Sequence, residues 1–331
     1  MCTNPNYMLW TGEVTKNDKP KLRFLGHVNY DKLIEFKLPF IQVPCGQCLA
    51  CRLQQTRQWA DRCVLEAKKY KDNYFITLTY DDAHLPPNAS LRPKDLQLFM
   101  KRLRRHFEGV KIRFLACGEY GTKTMRPHYH VLVFNCPLND VIDVFQRYDP
   151  LHKRYVKYLR DKAANENLRH SKTIYDLWID GKTKEHLGLI SVGQFNYDTA
   201  AYVSQYVTKK TNPKMKQIYE DLHLVPEFLR MSNRPGIGAD YFHDHDDGVY
   251  ASHLIVPSPG EAHKSCVPRY FDKLFVKKYG DDVFSPVRAK RLQKRIINID
   301  TYFYDDRKHF DEDNKRLDYK LRKRQFLKSQ I

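Results

Sequence analysis

Three groups of residues have the types and spacing to do chemistry. His128-Tyr129-His130 is the first. Side chains on a strand alternate between faces, so both imidazoles project one way and Tyr129 the other. Glu119 ends the strand-like stretch before them. If the two stretches pair as a hairpin, its carboxylate reaches the same end of the sheet. Two imidazoles and a carboxylate bind a divalent cation and leave positions on it for a phosphate oxygen and water. Tyr202-x3-Tyr206 is the second group, with Lys209 and Lys210 just beyond. Residues four apart on a helix are displaced by about 40° around the axis, so the two phenols share a face. Lys209 falls on nearly the same face. Its ammonium favours the phenolate over a phenol whose ordinary pKa is about 10. The third group is Cys45-x2-Cys48-x2-Cys51, tight enough for thiolates to share a zinc ion, with Cys63 as the fourth ligand.

Each pattern also has an ordinary explanation. With 14 histidines in 331 residues, roughly 0.6 His-x-His pairs arise by chance. A second pair, His243-Asp244-His245, sits in a polar, acidic stretch that reads as a loop with no strand to hold it. A tyrosine pair on a helix is more often a packing stripe than a pair of nucleophiles. Cys63 lies on the apolar face of its helix, where a buried free thiol is the ordinary outcome. The first two groups gain weight from occurring together. A cation that polarises a phosphodiester and a tyrosine that attacks phosphorus in line are two halves of one reaction.

The elements that must position these residues are legible from periodicity. Residues 1–44 read as mixed and turn-rich, and residues 45–70 run from the cysteines into an amphipathic helix. Residues 73–80 (NYFITLTY) are β-branched and aromatic, hence a strand. Residues 93–107 open on proline and place Leu96, Phe99, Met100 and Leu103 on one face of a helix. Residues 111–117 (KIRFLAC) and 128–134 (HYHVLVF) form a hairpin, and 138–148 read as a short helix. Residues 149–186 are charged and read as a surface insertion. Residues 187–193 (LGLISVG) are a strand, and 198–210 a helix capped by Asp198. From residue 73 the order is β-α-β-β-α-β. That is an α+β, ferredoxin-like split-βαβ arrangement, with a central antiparallel sheet covered by helices on one face. The expected domains are an N-terminal segment over 1–72, the sheet domain over 73–240, and a basic, mostly helical region over 241–331.

Lysine and arginine number 57 against 39 aspartates and glutamates, a net charge of +18. Such an excess favours a polyanionic partner, nucleic acid first. Runs such as KRLRR (101–105), RAKRLQKR (288–295) and KLRKR (320–324), interleaved with aromatic residues, suit single-stranded DNA. No apolar run approaches the ~18 residues that span a bilayer, so no membrane association is expected. The first residues, MCTNPNYMLWTGEV, lack the pattern of a secretory signal, and eight cysteines without one point to a reducing compartment. Two other classes compete. A non-enzymatic single-stranded DNA- or RNA-binding protein of ferredoxin-like fold would explain the charge but leave the histidines and tyrosines as accident. A two-histidine-carboxylate oxygenase would explain the ion but neither the tyrosine helix nor the charge.

The segments that carry these residues also resemble a known family. RPHYH resembles the HUH motif of rolling-circle replication initiators, and GEYG-x5-PHYH matches their placement of a glutamate ligand. FITLTY resembles their first motif, and AYVSQYVTKK the paired-tyrosine motif of initiators from small icosahedral single-stranded DNA phages. PCGQCLACR, DRC and RPGIG are similar to phrases in the replication initiation proteins of gokushovirus-type microviruses.

The resemblance implies a metal-dependent endonuclease acting on the phage origin in the cytoplasm of a bacterial host. Glu119, His128 and His130 would hold Mg²⁺ or Mn²⁺. Tyr202 and Tyr206 would be alternating nucleophiles assisted by Lys209. One tyrosine would keep the 5′ phosphate while the 3′ hydroxyl primes synthesis by the host polymerase, with a host helicase as a further partner. Gln205, not lysine, stands three residues after Tyr202, which makes the tyrosines inequivalent and marks Tyr206 as the first nucleophile.

Overall fold

Strands form where β-branched and aromatic residues alternate with polar ones, and helices start where proline or a capping side chain ends that pattern. The computed structural model describes residues 2–15, 20–28, 35, 40–121, 124–143, 146–149, 154–157, 169–206, 213–250, 254–258, 260, 262–293 and 296–297. Along the chain come β1 (Asn6–Val14), β2 (Pro20–Gly26), β3 (Phe40–Val43), α1 (Leu49–Ala67), β4 (Asn73–Thr79), α2 (Pro93–His106), β5 (Arg113–Tyr120) and β6 (Pro127–Phe134). There follow β7 (Val141–Asp143), β8 (Gln146–Asp149), β9 (Arg154–Lys157), β10 (Arg169–Ser171), α3 (Lys172–Leu177), β11 (Ile190–Gln194), α4 (Tyr197–Ser204) and α5 (Pro213–Asp221). Last are β12 (Phe228–Met231), α6 (Ala239–Val249), β13 (Leu254–Val256), β14 (His263–Ser265), α7 (Arg269–Tyr279), α8 (Asp281–Gln293) and β15 (Ile296–Ile297). Two compact units result, one over Gln55–Leu274 and one joining Met1–Gln54 to Phe275–Ile331. Residues 55–72 and 241–274 thus belong with the sheet domain.

The larger unit is built on a seven-stranded sheet of order β12-β5-β6-β4-β11-β10-β7, antiparallel at every pairing. β4 and β5, joined through α2, flank β6 on either side. That is the split-βαβ core expected from the element order. One sheet face carries Ile76, Leu78, Tyr80, Tyr129, Val131 and Val133, which pack with Leu96, Phe99, Met100 and Leu103 of α2 and with Trp178. Burying Phe99 or Leu103 completely is worth ~1.5–3 kcal/mol each. The polar tips on this face are paired. Tyr80 donates to Asp95 (2.8 Å), and the Tyr129 hydroxyl accepts the Arg92 N–H (2.9 Å). Gly118 has no room for a side chain, because a Cβ there would lie 2.7 Å from the Phe228 ring.

The RPGIG segment is held by buried charge. Arg113 pairs with Glu66 of α1 and donates to the Pro235 carbonyl (3.0 Å). Glu66 also accepts the Gly238 N–H (2.6 Å), and Arg62 donates to the Ile237 carbonyl (3.0 Å). Both side chains of the Glu66–Arg113 pair are almost wholly buried.

Several expectations are corrected. The helix expected over 138–148 is absent, since β7 and β8 occupy this stretch. The branched Val141 and Ile142 pair with β10 at the sheet edge, and tertiary pairing overrides helical spacing. The end of the 149–186 insertion is not surface decoration, because Ile174 and Trp178 are fully buried. Helices do not cover one face alone: α2 lies on the Tyr129 face, whereas α4 packs on β5 and β6 from the histidine face. The second histidine pair sits on α6 rather than in a loop, where Asp244 pairs with Lys69 (2.9 Å). The stretch before the cysteines, read as turn-rich, carries β1, β2 and β3.

In the smaller unit, β1 pairs with β2 and β3, and β15 extends the sheet beyond β3. Leu9 and Phe40 form its buried centre. The register sets Asn6 opposite Val43, so the chain before β1 runs beside the chain after β3.

Candidate active site

Strand register assembles the site. In the β5–β6 hairpin Glu119 is opposite His128 and Cys117 opposite His130. On the other side of β6, Thr77 is opposite His130 and Thr79 opposite His128. Alternation puts all of these on the face away from Tyr129. The Nε2 atoms of His128 and His130 each lie 2.8 Å from Glu119 Oε1. Both far ring nitrogens are engaged: His128 Nδ1 donates to the Arg126 carbonyl (3.0 Å), and His130 Nδ1 meets the Thr77 hydroxyl (2.9 Å). Phe75 stacks on His130 with centroids 5.1 Å apart.

Tyr202 reaches this cluster from α4. Asn196 starts the helix, accepting the Thr199 N–H (2.9 Å) while its own N–H bonds the Thr199 hydroxyl (3.0 Å). The cap is therefore Asn196, not Asp198, which sits in the first turn where its charge suits the helix dipole. The Tyr202 hydroxyl donates to Glu119 Oε1 at 2.8 Å, and its ring stands edge-on to His130 at 5.1 Å. Tyr202 is 37 % exposed and Tyr206 only 6 %. Their rings are 6.0 Å apart, as the four-residue spacing requires. Lys209 and Lys210 lie outside the described residues.

Electrostatics follow from burial around one carboxylate. Burial acts to raise the Glu119 carboxyl, but hydrogen bonds and charge from both histidines outweigh it and hold the group well below the usual carboxylate range. Burial acts to lower His128, yet Glu119 and the Arg126 carbonyl raise it above an ordinary histidine. Burial, then the Glu119 charge, pushes the Tyr202 phenol well above its ordinary value. The cluster as it stands keeps Tyr202 protonated.

The donor set fits a divalent cation. One carboxylate oxygen and two imidazole nitrogens lie within 4.8 Å of one another. A carbonyl can only accept, so His128 Nδ1 carries hydrogen, and neutral His128 presents a lone pair at Nε2.

The cysteines assemble differently from expectation. Cys45, Cys48 and Cys51 come together with Cys2, the four sulfurs lying within 4.8 Å of one another. Cys63 is fully buried in the larger unit, and burial pushes its thiol far up. It is a core residue, and Cys2 takes its place.

Sequence reasoning also passed over Thr77, Phe75 and Glu227. Thr77 and Phe75 were visible as the same-face positions of the FITLTY strand, but their contact with His130 depends on a register that spacing does not encode. Glu227, buried, accepts the Tyr120 N–H at 3.4 Å and adds negative charge near His128 and Tyr202. Of the basic runs, Arg102 donates to the Leu177 carbonyl and Arg104 to that of Ile112, so part of KRLRR serves the fold. The 320–324 run and residues 294–295 lie outside the described residues. No helix among the described residues is long and apolar enough to cross a membrane.

Comparison with known proteins agrees with this layout. Residues 73–211, from β4 past both tyrosines, match the family model of the replication-associated protein ORF2. The chain is 35% identical over 278 residues to the replication-associated protein ORF2 of Spiroplasma virus 4, covering 78% of each chain. It is 31% identical over 286 residues to the replication-associated protein VP4 of Bdellovibrio phage phiMH2K, covering 82% of each. It is 27% identical over 281 residues to the replication-associated protein ORF4 of Chlamydia phage 1, covering 82% of this chain and 63% of that one. No solved structure matches. The similarity extends across the sheet and the tyrosine helix together, and on that evidence the chain belongs to the family of phage replication-associated proteins.

Proposed function

We propose that this protein initiates rolling-circle replication of a small phage genome by nicking and rejoining single-stranded DNA at the origin. One observation carries the reading: the Tyr202 hydroxyl, His128 Nε2 and His130 Nε2 all meet at Glu119 Oε1, each at 2.8 Å. A nucleophile and a cation-binding set sharing one atom suit attack on a phosphodiester. Glu119, His128 and His130 would hold Mg²⁺ or Mn²⁺, which when bound supplies positive charge that draws a scissile phosphate oxygen and eases loss of the leaving oxygen.

The chain's own residues do the rest. Arg126 and Thr77 fix both imidazoles, and α4 sets the phenol beside them. To react, the Tyr202 oxygen leaves Glu119, gives up its proton to a base and attacks phosphorus. The bond to the 3′ oxygen breaks, leaving a phosphotyrosine on the 5′ side and a 3′ hydroxyl that can prime a host polymerase. We assign the first attack to Tyr202, not Tyr206, because Tyr202 is the exposed tyrosine and its hydroxyl lies against the triad. Tyr206, one turn on, is then placed for the second cleavage, with Lys209 assisting. The +18 charge holds the strand, so binding weakens steeply with salt.

The test uses origin-bearing single-stranded DNA and Mn²⁺, with covalent adducts resolved on a denaturing gel and the linked residue mapped by mass spectrometry. Wild type should link through Tyr202. Tyr202→Phe should lose that first adduct, and Tyr202→Phe with Tyr206→Phe should form none. An adduct surviving the double substitution sinks the mechanism. Binding without any adduct from wild type would favour a non-enzymatic DNA-binding protein.

A further inference from the structure

The cysteine cluster lies in the unit formed by the two termini and shares no residue with the proposed chemistry. Its shape follows from one strand pairing. Asn6 faces Val43 in antiparallel register, so Cys2, four residues before Asn6, meets Cys45, two residues after Val43. Gly46 then adopts φ +78°, a left-handed turn that brings Cys48 back toward Cys45. Cys51 follows in the first turn of α1. Backbone donors already point at sulfur: the Cys48 N–H bonds Cys45 Sγ (3.2 Å), and the Cys45 N–H bonds Cys2 Sγ (3.4 Å). Such bonds stabilise thiolates, as does the start of a helix.

We propose that Cys2, Cys45, Cys48 and Cys51 bind one zinc ion as a closed tetrathiolate site that fastens the beginning of the chain to the start of α1. A tetrahedral site with Zn–S near 2.3 Å places its sulfurs about 3.8 Å apart. Cys2 and Cys48 sulfurs are 3.6 Å apart, and all four lie within 4.8 Å. A disulfide would engage two of the four and bring that pair to about 2.0 Å. Four thiolates leave no open position, so the ion is structural, and its site is independent of the nicking reading.

The experiment is metal analysis of the full chain, purified under reducing conditions without a polyhistidine tag. It carries His130→Ala so that the triad contributes no ion to the count. About one zinc per chain is expected. Adding Cys2→Ser should strongly reduce zinc content, whereas Cys63→Ser should leave it intact. Cobalt-loaded protein should show intense sulfur-to-metal charge transfer with the spectrum of a tetrahedral site. If Cys2→Ser does not fold, alkylation mapped by mass spectrometry on the unaltered sequence decides. Cys2, Cys45, Cys48 and Cys51 should be protected together and become reactive together once zinc is stripped. Absence of zinc, a requirement for Cys63 in place of Cys2, or a disulfide among the four in freshly reduced protein would overturn the proposal.

Discussion

The two ligand clusters of this molecule are built on opposite plans. Glu119, His128 and His130 come from two neighbouring strands, supply three ligands, and lie beside the exposed Tyr202. Cys2, Cys45, Cys48 and Cys51 come from a chain terminus, a loop and a helix start, and supply four. Three ligands leave room for a reactant and four do not. Ligand count and the presence of a nucleophile thus separate a centre that acts from one that fastens.

The largest effect that would sharpen this contrast lies in the scaffold. Arg113→Met leaves Glu66 buried without its partner, and should destabilise the sheet unit by ~3–5 kcal/mol in urea unfolding. The cysteine unit, which contains neither residue, should keep its metal content. Next, His130→Ala should slow nicking by roughly 10²–10³-fold, comparable with losing a charge-stabilising group in an active site, while DNA affinity changes little. Equal loss of binding would make the histidine structural and blur the distinction. Thr77→Val removes the partner of His130 Nδ1 and should weaken divalent-ion activation by ~10–100-fold, read from the Mn²⁺ dependence of the rate. Smallest is Asn196→Ala, which removes the α4 cap. It should cost about 1 kcal/mol, and nicking should fall with it if helix position sets the attack.

What was legible in the sequence follows the range of the physics involved. The triad was readable because strand alternation has a period of two and a hairpin joins Glu119 to His128 over a short loop. The phenol pair was readable because a helix repeats locally. Thr77 was not, since only the β4–β6 register brings it to His130. Cys2 was missed for the same reason on a larger scale: 43 residues separate it from Cys45, and a strand pairing closes the gap. Cys63 looked better placed because it is near in sequence, but its helix turns it into the core. The order of the tyrosines was misjudged from a lysine offset, whereas exposure and the Glu119 contact favour Tyr202.

The hairpin also sets a sequence of events during synthesis. Chain growth proceeds from the N-terminus, and contacts close in sequence form before distant ones. Glu119 and His128 are nine residues apart, while Tyr202 lies 83 residues beyond Glu119. A nascent chain that ends before α4 therefore holds the three ligands and lacks the residue that would bond to DNA. Covalent attack on the genome waits for translation to pass Tyr202 and for α4 to dock, so unfinished chains are unarmed.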